Sequence, residues 1–208
     1  MKSILATFCL IAASASAAPA SGTIHEAIAK GDIADVRLHI EKDPSSVNKS
    51  GDDKSRSPLE EAVLRNKTDI ALLLLKAGAD PNVSSSGRTP LHLAVERNNP
   101  AVAADLLKAG AKPNLLDKGG WTPLHHAAAE NKLEMAKTLL AGGADPMTLS
   151  KLGGTPLHEA AASAGAEMIQ LLLDHKVDPK VKSKEGVTAL DIAKKYKNQA
   201  AIDVLSKL

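Results

Sequence analysis

The chain has 208 residues, 24% of them charged, and a formal net charge of +2. So near neutrality there is no electrostatic footprint for nucleic acid. One cysteine and one each of Trp, Tyr and Phe exclude both a disulfide framework and a core built on large rings.

The first segment reads as a leader. Lys2 gives a charged start, Ile4 to Ala13 is apolar, and Ala15-Ser16-Ala17 is a small-residue cleavage site. The favoured cut follows Ala17, with Ala18-Pro19-Ala20 as a second candidate. The ten-residue apolar run is short of the roughly 20 residues that span a bilayer, so an uncleaved anchor is the lesser reading. The leader, residues 1–20, carries the only cysteine, Cys9, and the processed chain has to be stabilised by packing alone. No other stretch is apolar enough for a membrane helix.

Six helix-turn-helix units follow within 21–208, near 22–55, 56–87, 88–120, 121–153, 154–186 and 187–208. In the first, Ile24-His25-Glu26-Ala27 opens a helix, Gly31-Asp32 turns it, and Val36 to Ile40 continues in a second. A long polar connection, Asp43 to Ser55, leads to Ser57-Pro58-Leu59-Glu60. There Ser57 caps the helix and Glu60 reaches back to the Ser57 N–H. The third unit shows the full grammar. Thr89 is the N-cap and Pro90 fills the first helical position. Leu91, Ala94 and Val95 make one apolar face. Asn98 suits a left-handed helix end, and a second helix runs from about Ala101 to Lys108. Gly78, Gly110 and Gly142 punctuate the ends of the second helices.

Thr89-Pro90-Leu91-His92-Leu93-Ala94 recurs as Thr122–Ala127, Thr155–Ala160 and Thr188–Ala193, each starting 33 residues after the last. Ser57–Ala62 is a degenerate copy. A fixed period of this length means one supersecondary unit stacked repeatedly. The TPLH-x-A motif, the paired short helices and the closing Gly78-Ala79-Asp80-Pro81-Asn82 resemble the ankyrin repeat. The resemblance implies an all-α solenoid of about six repeats and a binding function without catalysis. The first unit lacks the proline and the last reads TALDIA, as terminal units often diverge. Asn66, Asn98 and Asn131 stand where glycine is usual between the two helices.

His92, His125 and His158 occupy equivalent positions. Neighbouring helices lie about 8–10 Å apart, so the three cannot share one metal ion at its ~2 Å ligand distance. The resemblance gives them a structural role at the helix start. No HExxH, CxxC, phosphate loop or paired-carboxylate signature occurs. No catalytic residue, metal or cofactor is therefore assigned. Asn48, Asn66 and Asn82 open N-x-S/T sequons, meaningful only in a eukaryotic secretory pathway.

The resemblance also implies a working surface of loop tips and exposed first-helix positions. Here these are Arg88, Lys118, Trp121, Lys151 and Leu152 on the loops, with Ser85, Ser86, Lys184 and Glu185 beside them. Leu93, Glu96, Arg97, His126, Glu130 and Glu159 follow on the helices. Trp121 stands out, because Trp and Arg are enriched at binding hot spots. The expected protein is an exported monomer, periplasmic in a bacterium and otherwise secreted. It binds another protein, not nucleic acid, and does not insert into the membrane. Two alternatives stand beside this: a secreted effector acting on a host protein, and a metal-dependent or hydrolytic enzyme.

Overall fold

A computed structural model describes residues 18–51 and 56–208. The expected leader lies outside the described residues except for its last three, Ala18 to Ala20. The described residues form twelve short α-helices in six antiparallel pairs: α1 (Ile24–Lys30) with α2 (Ile33–Lys42), α3 (Pro58–Leu64) with α4 (Thr68–Lys76), α5 (Pro90–Glu96) with α6 (Pro100–Lys108), α7 (Pro123–Ala129) with α8 (Leu133–Ala141), α9 (Pro156–Ser163) with α10 (Ala166–Asp174), and α11 (Ala189–Tyr196) with α12 (Gln199–Leu205). Odd-numbered helices pack on one another as an inner row and even-numbered helices as an outer row. This is the expected all-α repeat solenoid. No helix among the described residues is long and apolar enough to cross a membrane.

Helices of seven to ten residues are too short to persist alone. Their stability comes from caps and from packing. Ser57 and Glu60 form the expected reciprocal box: the Ser57 N–H donates to Glu60 Oε2 at 2.7 Å and the Glu60 N–H to Ser57 Oγ at 3.2 Å. In the next three units histidine replaces the glutamate. Nδ1 of His92, His125 and His158 accepts the N–H of Thr89, Thr122 and Thr155 at 3.3, 3.2 and 3.1 Å. In the last unit Asp191 does the same for Thr188 at 2.9 Å.

The core is thin and aliphatic. Leu59, Leu91, Leu124 and Leu157 are fully buried at the same helical position, as are Ala62, Ala94, Ala127, Ala160 and Ala193 at another. The alanines let inner helices approach closely, and Ile70, Leu74, Val102, Leu106, Met135, Leu139, Met168 and Leu172 close the space from the outer row.

Polar clamps join consecutive units. Nε2 of His92, His125 and His158 faces the carbonyl oxygens of Trp121, Gly154 and Val187 in the following unit, at 3.0, 3.1 and 3.3 Å. Asn82 donates Nδ2–H to the Gly110 carbonyl at 3.1 Å and accepts the Lys112 N–H at 2.7 Å. Asn48 and Asn114 stand in the same place one unit before and after. The loop tips are stitched by Lys118 N–H to Gly87 O and Lys151 N–H to Gly120 O, both at 3.0 Å.

Asn66, Asn98 and Asn131 take the expected left-handed conformation, with φ of 56°, 49° and 52°. Three details add to the expectation. The Asp43–Ser55 connection contains a 3-10 helix, Pro44–Asn48, started by the Asp43 carboxylate accepting the Ser45 N–H. Gly143, not Gly142, takes the left-handed position after α8, with φ of 88°; Gly142 still closes the helix by donating to Thr138 O. In the fifth unit that position falls on Lys176, at φ 63°.

Candidate functional site

The loop tips before α7, α9 and α11 are small hairpins that end on the threonine cap of the next inner helix. At the junction of the third and fourth units the Asp117 N–H donates to the Trp121 carbonyl at 2.8 Å. Ser150 and Ser183 hold the equivalent place in the next two hairpins, pairing with Gly154 and Val187. Among the described hairpins only this one puts a carboxylate there, and it organises its surroundings.

The Asp117 side chain is buried, 4% exposed. Its Oδ1 accepts the Trp121 N–H at 3.0 Å and its Oδ2 accepts His126 Nε2–H at 2.9 Å. The Arg88 guanidinium approaches Oδ2 at 3.6 Å, and Arg88 also donates to Glu96 at 3.0 Å. Burial works to raise the Asp117 carboxyl, but the Trp121 N–H and the His126 imidazole outweigh it and hold it below the usual range. Trp121 is half-buried, stacked on His125 with ring centres 6.3 Å apart and edge-on to His126 at 5.0 Å. The result is an open cleft of about 280 Å³ walled by Arg88, Asp117, Lys118, Trp121 and His126. It presents an aromatic face, a cation and loop backbone in a fixed arrangement.

A second cleft, of about 210 Å³, lies where the fifth and sixth units meet. Leu152, Glu159, Ile192 and Tyr196 line it. Leu152 and Tyr196 are exposed, at 63% and 60%.

Of the residues expected on the surface, Arg88, Glu96, Lys118, Trp121 and His126 are brought together at the first cleft or its rim. His126 is more covered than expected, its side chain 18% exposed and held by Asp117. Lys151 is exposed on the neighbouring loop tip, where Nζ donates to Lys118 O at 3.0 Å. Leu152 and Glu159 belong to the second cleft.

Arg97 and Glu130 are exposed but sit at the far ends of α5 and α7. A seven-residue helix separates each from the loops by roughly 10 Å, and Glu130 there pairs with Lys132. Leu93 corrects the expectation outright. It is 3% exposed and belongs to the core, because an apolar side chain among packed inner helices gains by leaving water. Residues at its position elsewhere, Glu61, His126 and Glu159, stay partly exposed.

The three repeat histidines hold no common site. Each ring spends Nδ1 on its own threonine and Nε2 on the next unit's carbonyl. Among the described residues no three His, Cys, Asp or Glu side chains converge as metal ligands would. Sequence reasoning missed Asp117 and Tyr196. The first had one signal, a carboxylate where the loops before α5, α9 and α11 carry serine; the second ends α11 and no motif marks it.

The chain matches a family model described as ankyrin repeats in three copies over residues 83–150 and 124–208, and a single-repeat ankyrin model over residues 54–86. A solved structure of a predatory endopeptidase from Bdellovibrio bacteriovorus in complex with an immunity protein contains a chain 31% identical to this one. The match spans 90% of this chain and 98% of that chain, with a TM-score of 0.78. Solved chains that match number 604, so the fold by itself designates no partner. No curated protein matches.

Proposed function

The chain belongs to the ankyrin-repeat family, and we propose that it is an exported, non-catalytic module that captures a partner protein on the loop tips and inner helices of its middle units. The Asp117 cluster carries this reading. Before any partner arrives Asp117 fixes the Trp121 backbone N–H at 3.0 Å, the Trp121 ring lies against His125 and His126, and Arg88 donates to Glu96 at 3.0 Å. A surface already ordered loses little side-chain entropy on binding. Repeat histidines whose ring nitrogens are both committed to caps and carbonyls are not free to act as bases or ligands.

The similar structure suggests the class of partner. It pairs an endopeptidase with an immunity protein. An all-helical repeat chain whose repeat histidines are committed to caps and carbonyls suits the binding side of such a pair, so an endopeptidase is the partner to seek first. The apolar leader, Ile4 to Ala13, supports capture outside the cytoplasm.

The test is crosslinking of the tagged full chain in the producing cell, followed by capture. One partner should be recovered, and Trp121→Ala and Arg88→Ala should each weaken its capture about tenfold or more. Unchanged capture by both variants removes the assignment of this face.

A further inference from the structure

The position four residues into the inner helix, after its threonine or serine cap, allows a comparison inside the molecule. Glu61 occupies it in the second unit and is paired twice, to His25 at 2.6 Å and to Arg65 at 2.8 Å. In the third it is Leu93, in the core. In the fourth it is His126, held by Asp117 at 2.9 Å. In the fifth it is Glu159, which has neither ion pair nor hydrogen bond among the described residues. Burial alone pushes its carboxyl up, with no charge or donor pulling it back.

Glu159 lines the cleft of about 210 Å³ between the fifth and sixth units. Leu152 and Ile192 give the cleft aliphatic wall, and Tyr196 adds an exposed ring. Glu185 contributes a second carboxylate. Asp191 is already committed to the N–H and hydroxyl of Thr188. The one cation in the lining, Lys195, sits with Nζ 5.6 Å from the Tyr196 ring centre rather than on Glu159.

We propose that this cleft receives a lysine or arginine side chain presented by the partner protein, its stem lying along Leu152 and Ile192 and its charged head on Glu159. A long basic side chain has this chemistry: an apolar stem and a cationic tip. It would supply the charge-assisted hydrogen bond that Glu159 lacks. The inference rests on the reading of the inner face as a protein-binding surface.

Its test uses the full ¹⁵N-labelled chain and three probes: N-acetyl-arginine methylamide, N-acetyl-lysine methylamide and the uncharged N-acetyl-norleucine methylamide. The two cations should shift the amides of Leu152, Gly154, Glu159 and Ile192, and norleucine should bind about tenfold or more weakly. Glu159→Gln should erase that preference while the spectrum stays folded, and Glu159→Asp should keep part of it. Tyr196→Ala should weaken all three probes together. Norleucine binding as well as the cations, or a cation preference that survives Glu159→Gln, overturns the proposal. A cleft blind to all probes while partner capture still depends on Trp121 overturns this inference alone. Cation binding in a chain that captures no partner supports the cleft and removes the protein-binding reading instead.

Discussion

His92 Nε2 stands 3.0 Å from the carbonyl oxygen of Trp121, 29 residues further along the chain. The ring's other nitrogen accepts the Thr89 N–H. Nδ1 must therefore be bare and Nε2 must carry the proton. One neutral imidazole caps its own helix and ties its unit to the next. A second proton would land on Nδ1, against an N–H, and break the cap.

Acid should therefore weaken the fold through these rings. Burial lowers His92 and His125 from 6.5 to about 4. Between those values the unfolded chain binds protons that the folded chain refuses. Stability is then full above about pH 6.5 and falls as the pH drops toward 4, by on the order of 3 kcal/mol per histidine. Urea unfolding at pH 7.5, 6, 5 and 4.5 measures it. The slope should shrink in His125→Gln, and a flat wild-type profile would refute the mechanism.

Asp117 should matter more than an ordinary surface carboxylate. Asp117→Ala strands the Trp121 N–H and the His126 ring, at a cost of about 2–4 kcal/mol. Asp117→Asn keeps an oxygen for Trp121 and should cost less. If Trp121 is positioned through Asp117, partner capture should fall in the order wild type, Asn, Ala. Equal capture by all three would separate Trp121's placement from Asp117.

Lys176 offers a gain. It holds φ 63° where the third and fourth units use Gly110 and Gly143. Relief of the left-handed strain in Lys176→Gly should raise stability by about 1 kcal/mol. Gly143→Ala, at φ +88° with nothing within 4 Å of the new Cβ, should lose a similar amount. Gly120→Ala should lose more, because its Cβ would lie 2.3 Å from Cγ of Lys151. Thermal melts of the three variants rank them, and a destabilised Lys176→Gly would contradict the strain.

Asn82→Ala removes two hydrogen bonds between units, to Gly110 O and from the Lys112 N–H. A loss of roughly 1–3 kcal/mol is expected. In a stack joined through nearest neighbours the damage should spread, speeding hydrogen exchange on both sides of the second loop. Exchange changes confined to residue 82 and its immediate neighbours would count against the clamp.

Much of the molecule is legible in its sequence. The 33-residue period, the threonine and proline helix starts, the Ser57–Glu60 box and the left-handed asparagines all follow from chemistry within one unit. A cap acts over three residues and an apolar face repeats every turn, so both leave a local signature. Asp117 shows only as a carboxylate among loop serines, and nothing local tells that it gathers Trp121, His126 and Arg88. Leu93 joining the core leaves no local signature, nor does Glu159 lacking the partners that Glu61 has. Those outcomes depend on side chains brought together from separate helices and loops, often a full period away in the chain. The repeat fixes that units stack, but which identities then face one another is settled only when neighbouring units close and exclude water. The architecture was therefore written in sequence, and the character of its surface was decided by tertiary contact.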